Sequence, residues 1–149
     1  MKNRFVIFFF FASLISCVSL KSVQGEVRDR IVRIAKNLLE KKYTYGKQDI
    51  YYGFDCSGFV QFVYKEAGIK IPRTSLKQYE KSKNISFNDL QRGDLVFFKI
   101  NSNKPDHVGI YIGDNYFIHS PSEGKKIKKD SFNNDYWKKC FYAAGTYIP

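Results

Sequence analysis

The chain has 149 residues, room for one domain with a real hydrophobic core and too few for two ordinary ones. Its 25 Lys and Arg outweigh 14 Asp and Glu for a formal net charge of +11, which suits an anionic partner. No zinc finger, helix-turn-helix or aromatic RNA-reading motif accompanies that charge, so nucleic acid is set aside, and three cysteines (Cys17, Cys56, Cys140) do not make a disulfide framework.

The opening residues place Lys2 and Arg4 before an apolar stretch from Phe5 to Leu20 that only three serines interrupt. That stretch is shorter than the roughly 20 residues a membrane-spanning helix needs, so it reads as an export signal. Two endings fit. "LISC" at 14–17 has the order of a bacterial lipoprotein signal, which puts a lipid on Cys17 and ties the protein to a membrane. Val23 and Gly25 equally supply the small residues of ordinary cleavage after Gly25, which yields a periplasmic or secreted protein. Either way residues 1–25 are signal and tether, and residues 26–149 form the domain.

From there "EVRDRIVRIAKNLLEKK" sets Val27, Ile31, Ile34, Ala35 and Leu38 at helical spacing, which predicts a first helix with one packed face. "YTYGKQDIYYGFD" has no period and reads as a loop. The next helix begins at Cys56: Phe59, Val60, Val63 and Ala67 form its apolar stripe, Asp55 is placed to cap it and Gly68 to stop it. Ser75 and Gln78, at capping-box spacing, predict a short third helix.

After residue 90 the grammar is that of strands. "GDLVFFKI" is a compact apolar strand, "HVGIYIGDNYFIHS" a hairpin about Gly113, Asp114 and Asn115, and "YWKKCFYAAGTYI" at least one closing strand. The run "EGKKIKKD" reads as a solvated basic face. Helices first and antiparallel strands afterwards predict an α+β fold. Phe97, Phe98, Tyr111 and Trp137 read as core at strand alternation, and Cys140 as a packed thiol, although Cys56 and Cys140 could also pair in an oxidising compartment.

The two histidines, His107 and His119, both fall on the hairpin. Alternation sends Val108, Ile110 and Ile112 to one face and His107, Gly109 and Tyr111 to the other. A three-residue loop, 113–115, sets 112 opposite 116 and 109 opposite 119, which brings both rings to one face with Gly109 leaving room between them. A two-residue loop sends them to opposite faces. Cys56 sits where helix-start amides, the helix dipole and a neighbouring imidazolium lower a thiol's pKa and where first-turn amides can hold an oxyanion. The constellation predicts nucleophilic catalysis: Cys56 thiolate attacks an amide carbonyl, His107 carries the proton to the leaving amine, His119 orients His107, and water releases the acyl-enzyme. Such a reaction needs no metal or other cofactor, and Cys56, His107 and His119 without tight spacing make a weak zinc signature.

"FDCSGFVQFVYKEAGIKIPRTSLKQ", "LQRGDLVFF", "HVGIYIG" and "FIHS" occur in an order that resembles the NlpC/P60 family of papain-like cell-wall cysteine peptidases. The likeness runs from about residue 27 to the end and is nearest to the murein endopeptidase lipoproteins of Gram-negative bacteria. It implies a papain-like fold, N-terminal helices on a C-terminal antiparallel sheet with the nucleophile at a helix N-terminus. It also implies hydrolysis of peptide bonds in the stem or crosslink of peptidoglycan by a monomer, with the family's catalytic roles on Cys56, His107 and His119. Tyr43 takes the place of a tyrosine beside the nucleophile, an oxyanion or positioning group, although "KYTYGK" departs from the family's "PYxWGG" at Tyr45 and Lys47. Asp55, Ser57 and Arg73 match "DCSG" and "PRxS", which implies contact with the substrate peptide, after a structural role. A catalytically silent wall-binding lipoprotein and an acyltransferase on a related fold are the alternatives.

Overall fold

In a computed structural model, which describes residues 6–121 and 125–149 and side chains from Leu20 onward, the helices come first and the strands afterwards. The elements are α1 (Val6–Asn37), β1 (Gln48–Asp49), β2 (Gly53–Phe54), α2 (Cys56–Glu66), α3 (Ser75–Lys81), β3 (Lys83–Ile85), β4 (Leu95–Phe98), β5 (His107–Gly113), β6 (Tyr116–His119), β7 (Lys128–Ser131), α4 (Asp135–Cys140) and β8 (Phe141–Thr146). Six strands form one antiparallel sheet in the order β3-β8-β4-β5-β6-β7. This is the α+β architecture predicted above.

All four residues of β4 are buried, because the sheet is covered on both faces at its centre. Leu95 and Phe97 join Val108, Ile110 and Ile118 in a core shared with α1 and α2. Val96 and Phe98 point the other way, to a second cluster with Phe117, Phe132 and Trp137. Strand alternation thus divides the apolar residues between two cores.

α1 begins far upstream of the predicted start near Val27 and runs unbroken through residues 18–25, part of the segment read above as signal and tether. That segment has no proline and a single glycine, so nothing in it stops the helix. Ile31, Val32 and Ala35 are buried, whereas Leu20 and Val23 are exposed, so packing begins where the sequence placed it. Arg28 fastens this end to the body by donating to the Arg92 carbonyl and to the buried carboxylate of Asp94. Among the described residues no helix is long and apolar enough to cross a membrane. The Cys17 side chain, and with it the predicted lipid site, lies outside the described residues.

α2 begins at Cys56 and is capped by Asp55. It ends in a Schellman motif, with Gly68 at φ 90°, its amide on the Lys65 carbonyl and the Ile69 amide on that of Tyr64. The predicted capping box of α3 does not form. Thr74 caps that helix instead, Ser75 donates to the Pro105 carbonyl, and the Gln78 amide is drawn inward to the carbonyls of Ser57 and Pro72. Tertiary partners outcompete the local box. The loop before α2 holds the small β1–β2 ladder, which its aperiodic sequence did not signal.

The hairpin settles the parity question by a third route. Asp114 and Asn115, both at positive φ, form a two-residue turn, and a bulge between Tyr111 and Gly113 takes up one extra residue. Gly113, not Ile112, therefore faces Tyr116, while Gly109 faces His119 as the longer loop required. Downstream, Trp137 lies on α4 and not on a strand. Asn134 caps α4, Asp135 opens it and Lys138 and Lys139 close it, helix signals that a strand reading overrides. β8 follows and wedges between β3 and β4.

Candidate active site

The first turn of α2 is clamped from three sides. The Asp55 carboxylate accepts the Gly58 amide at 2.6 Å, the Gly46 amide at 2.9 Å and both arms of Arg73 at 3.0 and 2.6 Å. Arg73 also donates to Ser57 Oγ at 2.9 Å, and Gln78 Nε2 to the Ser57 carbonyl at 3.0 Å. A Cβ on Gly58 would run into the Lys47 carbonyl, so glycine lets the loop lie across the helix start. Cys56 is held at a fixed point by this network.

The sheet supplies the imidazoles. His107, first residue of β5, and His119, last of β6, share a face, and His107 Nε2 lies 2.8 Å from His119 Nδ1 with the rings at 88°. A Cβ at position 109 would come within 3.0 Å of Phe117, 3.1 Å of the Ile118 carbonyl oxygen and 3.3 Å of His119 Cβ, so the space for the pair depends on glycine. Trp137 stacks on His107, 26° from parallel, and sets its edge against His119. On the far side His119 Nε2 lies 2.8 Å from Asp130 Oδ2, which also receives Lys128 Nζ at 2.8 Å.

Cys56 and His107 open on one cavity of about 520 Å³, whose walls include Tyr43, Asp130, Tyr136 and Trp137. Lys125 and Lys128 line it together with Asp106 and Asp130, so its wall carries charges of both signs. Asp55, Ser57 and Arg73 are not among its described lining residues; they lie behind the wall and grip one another and the helix start. Tyr43 does reach the cavity, despite the departures at Tyr45 and Lys47. Cys56 and Cys140 are both free thiols.

The electrostatics reverse one expectation. Burial pushes the Cys56 thiol up to about 11, the Asp55 charge adds to the rise, and backbone hydrogen bonds from Ser57, Val108 and Cys56 itself only partly oppose it. The helix-start amides act in the predicted direction but are outweighed. Burial likewise holds His107 well below 6.5, with His119 adding to the fall. His119 is lowered by burial too, against an upward pull from Asp130. Both shifts favour thiol and neutral imidazole over thiolate and imidazolium as the resting forms.

The family model for the NlpC/P60 family matches residues 40–146, most of the chain and all of this site. The chain belongs to the NlpC/P60 family. It is 35% identical over 144 residues to murein DD-endopeptidase MepH of Escherichia coli, covering 86% of this chain and 53% of that protein. With murein DD-endopeptidase MepS/murein LD-carboxypeptidase of the same species it shares 47% over 94 residues, 62% of this chain and 48% of the relative. This NlpC/P60 chain thus spans about half the length of these relatives. A crystal structure of an NlpC/P60 family protein from Bacillus cereus superposes with a TM-score of 0.77 at 33% identity, over 82% of this chain and 40% of that one.

Asp130, Lys128 and Trp137 are site residues that the sequence reading missed. Asp130 ends a lysine run that reads as solvated surface, and its nearness to His119 needs the pairing of β6 with β7, which sets Lys128 opposite His119. Trp137 was read as core, which it is, but its ring also forms the wall on which the imidazoles rest.

Proposed function

We propose that this NlpC/P60 domain is a cysteine endopeptidase that hydrolyses peptide bonds of bacterial peptidoglycan, in the stem peptide or its crosslink. The observation that carries the reading is the shared cavity: a thiol at a helix N-terminus and one imidazole of a hydrogen-bonded pair facing the same space, in a family whose similar members are named murein endopeptidases.

This reading gives each residue a role. His107 has its Nε2 engaged by His119, which leaves Nδ1 for the sulfur. Because both groups rest neutral, His107 acts as a general base: as Cys56 Sγ bonds to the carbonyl carbon, the thiol proton passes to His107. In this reading the first-turn amides of α2 hold the oxyanion, and Tyr43, which lines the same cavity, assists them or positions the substrate. His107 then gives its proton to the leaving nitrogen, the C–N bond breaks, and a thioester remains. Water, deprotonated by the same imidazole, attacks the thioester; the acid leaves and the proton returns the thiol to its resting form. His119 orients His107 throughout, and Asp55, Ser57 and Arg73 hold the nucleophile in place. No step calls for a cofactor.

We further propose export to the cell envelope and anchoring through a lipid on Cys17, supported by Lys2, Arg4, the apolar run and "LISC". The mass of the mature N-terminus tests anchoring against cleavage after Gly25. The peptidase reading is tested by incubating purified peptidoglycan with the protein and with Cys56→Ala and resolving the muropeptides by mass spectrometry. New amide-cleaved products with the first alone are expected; identical products from both would overturn it.

A further inference from the structure

Beyond the predicted triad, the site continues from His119 to Asp130 at 2.8 Å and from there to Lys128 at 2.8 Å. His119 is completely buried and His107 nearly so, which fixes the rings and leaves each nitrogen one partner to choose. A chain of this kind has a direction, and the direction is set at the end where a group can only accept. We propose that Asp130 is a positioning residue that selects the catalytic tautomer of both histidines. This rests on the peptidase reading.

The proton inventory runs inward from the carboxylate. Ionised Asp130 has no hydrogen to give, so His119 must carry its proton on Nε2 and donate it. His119 Nδ1 is then a bare acceptor, and the nitrogen facing it, Nε2 of His107, must be the protonated one. That leaves His107 Nδ1 with its lone pair free for the Cys56 proton. With no acceptor at position 130, His119 can hold its proton on Nδ1 instead. His107 Nε2 must then accept, its proton moves to Nδ1, and the base is lost. Partial burial alone would raise the Asp130 carboxyl, but the hydrogen bonds from His119 and Lys128 outweigh it and hold it at about 2. It stays ionised across the working range.

Charge adds a second effect with a definite sign. His119 faces His107 on β5, Asp130 and Lys128 on β7 and Lys125 just before that strand; His107 faces His119 and the field of Asp130 and shares its cavity with the Cys56 thiol of α2. Asp130 favours the imidazolium at both rings, whereas Lys128 disfavours it at His119. His107 passes through an imidazolium during attack, so removing the Asp130 charge slows the step. It also makes the resting imidazole harder to protonate, so the acid limb of the rate profile moves to lower pH. Removing the Lys128 charge moves that limb to higher pH.

The experiment measures kcat against pH for the wild-type protein and for Asp130→Asn, Asp130→Ala and Lys128→Gln. Imidazole nitrogen NMR on the Cys56→Ala protein, with and without Asp130→Ala, reads the tautomers without any need for turnover. Both rings are expected to be protonated on Nε2 at neutral pH, with loss of that state in Asp130→Ala. Asp130→Asn keeps an acceptor oxygen and is expected to lose about tenfold in kcat with an acid limb at lower pH; Asp130→Ala loses about a hundredfold. Lys128→Gln shifts the limb the opposite way. Unchanged tautomers in Asp130→Ala, or a fall in activity that leaves the acid limb unmoved in both charge variants, would overturn the proposal. A wild-type protein inactive on peptidoglycan but with these tautomers would instead overturn the peptidase reading alone.

Discussion

Cys56 stores its reactivity in position and not in charge. Desolvation and the Asp55 carboxylate hold the thiol up at about 11, although helix-start amides pull the other way. Alkylation of Cys56 by iodoacetamide, followed by peptide mass mapping, is therefore expected to be slow at pH 7 and to accelerate above pH 9. A rapid rate that is flat from pH 6 upward would mean a resting thiolate. The sequence made the identity and place of this nucleophile legible, because helix-cap chemistry is local. It misjudged the ionisation, because burial is a property of the surrounding layers that no local motif records. Asp130 was hidden for a related reason: a lone acid in a lysine run has meaning only once β7 is laid beside β6.

At the scale of elements, α2 is a positioning device whose N-terminus is fixed by groups distant in sequence. Asp55 caps the helix, ties Gly46 across it and pairs with both arms of Arg73. Asp55→Ala is expected to destabilise the fold by about 2–3 kcal/mol, the loss of a cap plus a partly exposed ion pair, read from chemical denaturation. Arg73→Ala is expected to cost less, about 1 kcal/mol, because the cap survives. Both should lower activity by letting Cys56 drift. Element types were readable where the signal is periodic or local, as in α2 and the central hairpin. α3 drew its cap from Thr74 and its side-chain bonds from other segments, and α4 was masked by aromatic residues that suit a strand equally well.

For the whole molecule, the buried site couples catalysis to stability through protons. His107 and His119 have folded-state values below 6.5, so acid favours the unfolded chain, which binds protons that the native state excludes. Their contribution is full above pH 6.5 and is lost as pH falls from there toward their folded values. Asp130, held at about 2, adds a further loss below its ordinary 3.8. Cys56 acts with the opposite sign: its folded value lies above 9.0, so its contribution is full below pH 9 and is lost as pH rises toward 11. Calorimetry across pH 4–11 is expected to show a thermal midpoint that is level between about 6.5 and 9 and falls on both sides. A midpoint that stays level from pH 6.5 down to 4 would mean the imidazoles are not buried as described. The bulge at Ile112 has a consequence for how such a domain can vary. Surface turns usually accept insertions and deletions, and here the bulge absorbs an odd residue between the two imidazoles without turning them to opposite faces. Deleting Ile112 removes only the residue that the ladder leaves unpaired, so Gly109 should still face His119 and the protein should keep native circular dichroism and turnover.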